Sequence, residues 1–145
     1  MITIRQITRD DLKDLCMLYE ELIDRQTNFE KLVEAFESIK SNDNYYILGA
    51  FKKNELVGSV MGIIFQDIAG ECRPFMVIEN VVVSNRVRKQ GIRKKLMTNI
   101  ETIAKERSCY YIIFVSGGHR KEAHAFYEKL GFKDEKVEGY RKHFS

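Results

Sequence analysis

The chain has 145 residues, 44% of them hydrophobic and 31% charged, and its formal net charge at pH 7 is +3. These values predict one globular domain over residues 1–145, with its own core, and they argue against a disordered chain or a broadly basic nucleic-acid-binding protein. No apolar run is long enough to predict a membrane span, and three separated cysteines without a C-x-x-C pattern predict reduced thiols in a cytoplasmic protein, with no metal site.

The first half of the chain predicts a strand, two helices and a hairpin. Thr8 and Asp11 have the spacing of a capping box before the first helix, and Asn28 is a suitable N-cap for the second. Apolar residues recur at helical spacing after both caps, whereas the residues from 45 onward are rich in strand-forming types. The predicted elements are a strand at 2–7, helices beginning at 12 and 29, and strands at 45–51 and 56–65.

The second half predicts strands that alternate with two helices. A long apolar strand follows Pro74, and a basic loop separates it from a helix that begins at Ile92. A later helix ends at Leu130, with Gly131 as its left-handed cap. The predicted elements are strands at 75–83, 109–115, 132–135 and 139–144, with helices at 92–107 and up to 130. The order of elements therefore predicts a mixed α/β (α+β) fold.

The basic loop has the composition of a phosphate-binding site. Six basic side chains and no acidic one fall within residues 86–95, namely Arg86, Arg88, Lys89, Arg93, Lys94 and Lys95. Gly91 precedes a helix whose first N–H groups and positive dipole end favour anions, and its missing Cβ permits close approach. We expect an anion with several phosphates here; the alternative is a solvated basic loop with a helix cap. The loop is neither a P-loop nor a dinucleotide fingerprint.

The loop also resembles a motif of the GNAT superfamily, the acyl-CoA-dependent N-acyltransferases. It reads Arg88-Lys89-Gln90-Gly91-Ile92-Arg93, similar to the family's Arg/Gln-x-x-Gly-x-Gly/Ala loop, and departs from it at Arg93. About thirty residues on, Phe126-Tyr127-x-x-x-Gly131-Phe132 resembles a second family signature. The resemblance implies the GNAT fold, a central, mostly antiparallel twisted sheet of about seven strands flanked by four helices.

The resemblance implies an N-acetyltransferase that uses acetyl-CoA as cosubstrate, needs no metal, and moves the acetyl group to a primary amine of a small molecule or protein by direct attack. It places the general acid at Tyr127, whose phenol would protonate the CoA thiolate; on its pattern alone, Tyr127 is a core aromatic. The cofactor would be held by Val81, Val82, Val83, Arg88, Lys89, Gln90, Gly91, Ile92, Arg93 and Lys94.

Glu79 is the only acidic residue in the predicted strand 75–83. Alternation with a period of two places Glu79 on the same face as Val77, Val81 and Val83. The carboxylate is a candidate base for the attacking amine, and the alternative is a structural ion pair at the strand edge.

Two other functions are compatible with the sequence. A non-catalytic CoA-binding sensor of the same fold is motivated by the departure at Arg93. Nucleic-acid binding through residues 86–95 is disfavoured because the basic run is short and no aromatic residue interleaves it. We therefore expect neither a nucleic-acid nor a membrane partner. A homodimer is compatible with the resemblance, and the sequence does not identify the amine.

Overall fold

The computed structural model describes residues 1–88, 90–115 and 121–144, without the side chains of residues 121–124. The chain forms two compact units, Met1–Ile113 and Phe114–Ser145. The strands are β1 (Ile2–Gln6), β2 (Tyr45–Lys52), β3 (Glu55–Phe65), β4 (Phe75–Val83) and β5 (Ile112–Ile113). The helices are α1 (Leu12–Ile23), α2 (Phe29–Ile39), α3 (Ile92–Glu106) and α4 (Lys121–Lys129).

The sheet belongs to the first unit and has the order β1-β2-β3-β4-β5. β1 to β4 pair antiparallel with their neighbours, whereas β5 pairs parallel with β4. This architecture confirms the mixed α/β fold with a mostly antiparallel sheet. The short loop between β2 and β3 suits an antiparallel pair, and the long connection through α3 suits the parallel one.

The number of strands is lower than predicted, because the sheet has five strands among the described residues and not about seven. Residues 132–135 and 139–144 form no strand, and nearly all of them are exposed. Their alternation therefore has no buried face to fix a pairing register. β5 is also shorter than the predicted 109–115, because only Ile112 and Ile113 pair with β4.

α3 packs closely on one face of the sheet, where two glycines of β3 leave room for it. A Cβ at Gly62 would lie 2.9 Å from the Cδ1 of Ile100, and one at Gly58 would lie 3.1 Å from the Cγ2 of Ile92. Such distances require a displacement of the neighbouring side chain. The start of α3 is thus seated on the backbone of β3, beside the end of β4.

α1 and α2 pack on a hydrophobic cluster with Val82 of β4. The buried members of this cluster are Ile7, Leu12, Leu15, Leu18, Phe36, Phe51, Leu56 and Val82. Both predicted caps are present: the Thr8 amide donates to the Asp11 carboxylate at 2.8 Å, and the Lys31 amide donates to Asn28 Oδ1 at 3.0 Å. Thr8 and Asp11 cap the 3₁₀ turn Arg9–Asp11 that leads into α1, whereas Asn28 caps α2 directly.

Arg5 holds the start of α1 to β1. Its guanidinium makes two hydrogen bonds to the Asp11 carboxylate, at 2.7 and 3.0 Å, and these hold the pKa of Asp11 below its usual value.

Over the described ranges, no helix is long and apolar enough to span a bilayer. The same residues contain no cluster of three or more His, Cys, Asp or Glu side chains that could hold a metal ion.

Candidate active site

β4 contains a bulge that reverses its alternation. Met61 of β3 pairs with Glu79 and Ser59 pairs with Val82, so two residues of β4 oppose one residue of β3. Asn80, in the bulge, has a φ of 54°, in the left-handed region. Because Ser59 and Met61 share a face, Glu79 shares its face with Val82.

The predicted orientation of Glu79 is therefore partly wrong. Val83 pairs with Gly58, which belongs to the α3 side of the sheet, so Val83 lies on the face opposite to Glu79. Glu79 itself is exposed, and within the described part of the chain it makes no ion pair. The hypothesis of a structural ion pair at the strand edge thus gains no support, and the carboxylate is open to solvent.

Tyr19 of α1 lies beside the bulge, a neighbour that the sequence does not reveal. Burial raises the pKa of Tyr19 to about 12, and hydrogen bonds with Asn80 and Ser59 partly offset that effect. The phenol is therefore neutral at physiological pH. Tyr19 also packs against the hydrophobic cluster that contains Val82, so α1 lies against β4 at the bulge and just after it.

The second half of β4 has an open edge among the residues described. β5 pairs only with Met76 and Val77, so Val81, Val82 and Val83 have no partner on β5. On the other edge, Val82 and Val83 pair with β3, whereas Val81 lies in the bulge. An exposed strand edge presents unpaired backbone N–H and C=O groups, to which an extended ligand can hydrogen-bond.

The loop after β4 leads into an uncapped helix terminus. Gly91 is the N-cap residue of α3 with a φ of 73°, and no side chain caps this terminus. The first intrahelical bond runs from the Lys95 amide to the Gly91 carbonyl at 3.1 Å. The amides of Ile92, Arg93 and Lys94 therefore have no intrahelical acceptor, and the positive end of the helix dipole is available to an anion.

The basic side chains of the loop differ in their surroundings. Arg88 and Lys94 are exposed, whereas the Nε of Arg93 is buried and has no hydrogen-bond partner in the described structure. Buried donors are normally paired, so this guanidinium suits an anionic ligand such as a phosphate. Ile92 is 1% exposed, so its side chain belongs to the core beneath α3. Lys89, predicted to bind the cofactor, lies outside the described residues.

Arg86, another basic residue of the loop, is already paired with an acidic residue. Its guanidinium forms an ion pair with Glu55, and its Nε donates to the Ser84 hydroxyl at 3.2 Å. The hydrogen bond with Glu55 raises the pKa of Arg86 further. One of the six basic residues in the loop is thus neutralised by an acid from the β2–β3 hairpin.

Two further contacts hold the loop in place. The Asn85 amide donates to Glu21 Oε1 of α1 at 2.9 Å, and Lys52 Nζ of β2 donates to Gln90 Oε1 at 2.8 Å. The partners are 64 and 38 residues apart in sequence. Sequence reasoning missed both contacts, because no local pattern connects residues at such separations.

Tyr127 belongs to the second unit, where it packs among aromatic rings. It is 8% exposed, and its ring centroid lies 4.3 Å from that of Phe114 and 5.4 Å from that of Phe126. Gly131 has a φ of 99°, and the Phe132 amide donates to the Tyr127 carbonyl at 3.1 Å. The left-handed cap is thus confirmed, whereas the role of Tyr127 as general acid stays a prediction.

Comparisons with known proteins match one family over most of the chain. Residues 9–132 match a family model described as the acetyltransferase (GNAT) family. Glucosamine 6-phosphate N-acetyltransferase 1 of Dictyostelium discoideum is 25% identical over 142 residues, which are 94% of this chain and 88% of that protein.

Solved structures share the fold over nearly the whole chain. A transcriptional regulator from Bacillus halodurans C-125 has a TM-score of 0.90 and 30% identity, covering 99% of this chain and 100% of that one. An aminoglycoside N-acetyltransferase in complex with CoA has a TM-score of 0.82 and 20% identity, covering 99% and 96% of the two chains. At that identity, the second likeness shows the fold alone.

Proposed function

Since the chain belongs to the acetyltransferase (GNAT) family and is an acetyltransferase, we propose that it moves the acetyl group of acetyl-CoA directly to a primary amine of a small molecule. The observation that carries this proposal is the uncapped terminus of α3 behind Gly91, together with the unpaired, buried Nε of Arg93. These are donors without acceptors in the described structure, and they belong to the loop that, by its resemblance to the family motif, would hold a pyrophosphate.

The described residues fit the cofactor. The backbone amides of residues 92–94 and the side chains of Arg88, Arg93 and Lys94 would hold its phosphates, because helix N-termini and guanidinium groups both favour them. Val81, Val82 and Val83 would pair with the pantetheine arm through the open edge of β4. Lys89 and Gln90 complete the proposed loop, with Lys89 placed from the sequence alone.

In the proposed reaction, Glu79 removes a proton from the ammonium form of the amine, directly or through water. The amine nitrogen then attacks the thioester carbon, so that a C–N bond forms and the C–S bond breaks. Tyr127 donates its phenolic proton to the departing thiolate, and the proton lost by the new amide nitrogen restores the phenol through solvent. A backbone N–H of β4 near the bulge would stabilise the oxyanion.

The proposed class of acceptor rests on the Dictyostelium discoideum relative. That protein is named for glucosamine 6-phosphate, a sugar phosphate that carries a primary amine on its ring. Amino sugars are therefore the first acceptors to test, followed by polyamines, amino acids and protein amines.

Binding of the cofactor is tested by titration calorimetry with CoA and desulfo-CoA. We expect both ligands to bind, because the proposed contacts involve the phosphates and the pantetheine arm but not the sulfur. Absence of binding at high micromolar ligand would contradict the proposed cofactor site.

Glu79→Gln should lower activity mainly at lower pH. An amine is then largely protonated and needs a base, whereas at higher pH the free amine is abundant without one. The measurement is the pH dependence of kcat/KM, with Glu106→Gln at the exposed end of α3 as the matched control. If Glu79→Gln keeps the wild-type pH profile, Glu79 is not the base.

A second candidate function is a CoA-binding regulator without catalysis. It is favoured by the Bacillus halodurans relative, which is 30% identical and is described as a transcriptional regulator. Such a protein would bind CoA as described above but would not consume acetyl-CoA with any amine, so turnover separates the two functions.

A further inference from the structure

Lys52 places a positive charge beside the phosphate loop from a distant part of the chain. Lys52 is the last residue of β2. Its Nζ lies 2.8 Å from the Oε1 of Gln90, and Gln90 is the residue before Gly91. No sequence motif points to Lys52, since 38 residues separate it from Gln90.

The ammonium group keeps donors available for a ligand. It has three N–H donors, of which Gln90 accepts one. Within the described residues, Lys52 forms no ion pair, and the neighbouring acid of the hairpin, Glu55, is engaged by Arg86. The charge of Lys52 is therefore not neutralised by a carboxylate.

A cation near the positive end of a helix dipole is unfavourable without an anion between them. Gln90 directly precedes the uncapped terminus of α3. Arg93 lies in the first turn of the same helix, and its buried Nε has no hydrogen-bond partner in the described structure. The unneutralised charge of Lys52 and the unpaired donors at the start of α3 both point to an anion that contacts the loop and the end of β2. The contact with Gln90 fixes the Lys52 ammonium on the side chain of the residue that precedes Gly91.

We propose that Lys52 is a further phosphate-binding residue of this site, contributing its charge to the pyrophosphate of CoA from outside the family's loop motif. This inference rests on the proposed use of CoA. The alternative is that Lys52 only ties β2 to the loop through its hydrogen bond with Gln90.

The test compares Lys52→Gln, which keeps hydrogen-bonding capacity without the charge, with Lys52→Arg, which keeps the charge. Lys53→Gln is the matched control, because Lys53 is the next residue and is exposed in the hairpin turn. Affinities for CoA and for dephospho-CoA, which lacks the 3′-phosphate, are measured by calorimetry at low and high salt. Melting curves of the apo variants check that each one is folded.

We expect Lys52→Gln to bind both ligands about 3- to 10-fold more weakly, the range of a charge-assisted contact that is open to solvent. Lys52→Arg and Lys53→Gln should bind like the wild type, and the loss in Lys52→Gln should shrink at high salt because the ions screen the charge.

Wild-type affinity in Lys52→Gln would overturn this inference but not the proposed cofactor. An equal loss in Lys53→Gln would overturn it too, because the effect would then be a long-range electrostatic one and not a contact of Lys52. A loss confined to CoA and absent for dephospho-CoA would overturn the assignment to the pyrophosphate. If the wild type binds neither ligand, the inference and the proposed cofactor both fail.

Discussion

Tyr127→Phe is expected to slow acetyl transfer by about 10²–10⁴-fold, the usual contribution of a general acid, and to leave CoA affinity unchanged. The substitution removes only the hydroxyl, so the ring still packs against Phe114 and Phe126. The measurement is kcat from the release of free CoA thiol, together with CoA affinity by calorimetry.

The matched control for this substitution is Tyr140→Phe in the same unit. Tyr140 is 91% exposed, and its hydroxyl lies 3.0 Å from a Glu138 carboxylate oxygen. Its loss should therefore leave kcat at the wild-type value. Unchanged turnover in Tyr127→Phe would reduce Tyr127 to a packing residue and would leave protonation of the thiolate to water.

Arg93→Ala is expected to weaken CoA binding by about 1–3 kcal/mol, the cost of losing a charge-assisted contact with a phosphate. The same change should stabilise the apo protein slightly, for two physical reasons. It removes a cation from the positive end of α3, and it removes a buried donor that has no partner in the described structure. The measurements are CoA affinity and the apo Tm.

Lys95→Ala is the control, because Lys95 is an exposed cation on the first turns of the same helix. It should change CoA affinity less than Arg93→Ala does. Tighter binding in Arg93→Ala or Arg93→Gly would show that Arg93 obstructs the site, and the non-catalytic alternative would gain weight.

The features that could be predicted from the sequence depend on short-range physics. At the first cap the Asp11 side chain accepts from the Thr8 amide, and at the second Asn28 accepts from the Lys31 amide, each across three residues. Gly91 and Gly131 supply positive φ values at helix ends. The strand, the basic loop and the helix between residues 75 and 106 can be predicted from the residue types within each segment. The phosphate-binding hypothesis came from this local pattern.

The features that could not be predicted depend on residues that are distant in sequence. Glu21, Lys52 and Glu55 contact the loop from α1 and the β2–β3 hairpin, where nothing in their own neighbourhood indicates that contact. The bulge at Asn80 was also not predicted, because alternation of residue types along a strand does not show where the pairing includes one extra residue. The orientation of Glu79 was partly wrong for that reason.

The most direct test of the proposed activity is the release of free CoA thiol from acetyl-CoA with a panel of amines. The panel begins with glucosamine 6-phosphate and aminoglycosides, and mass spectrometry identifies the acetylated product. We expect amine-dependent thiol release with at least one acceptor, with a matching acetylated amine, and its loss in Tyr127→Phe. Binding of CoA without acetyl transfer to any amine in the panel would contradict the account and would favour the CoA-binding regulator.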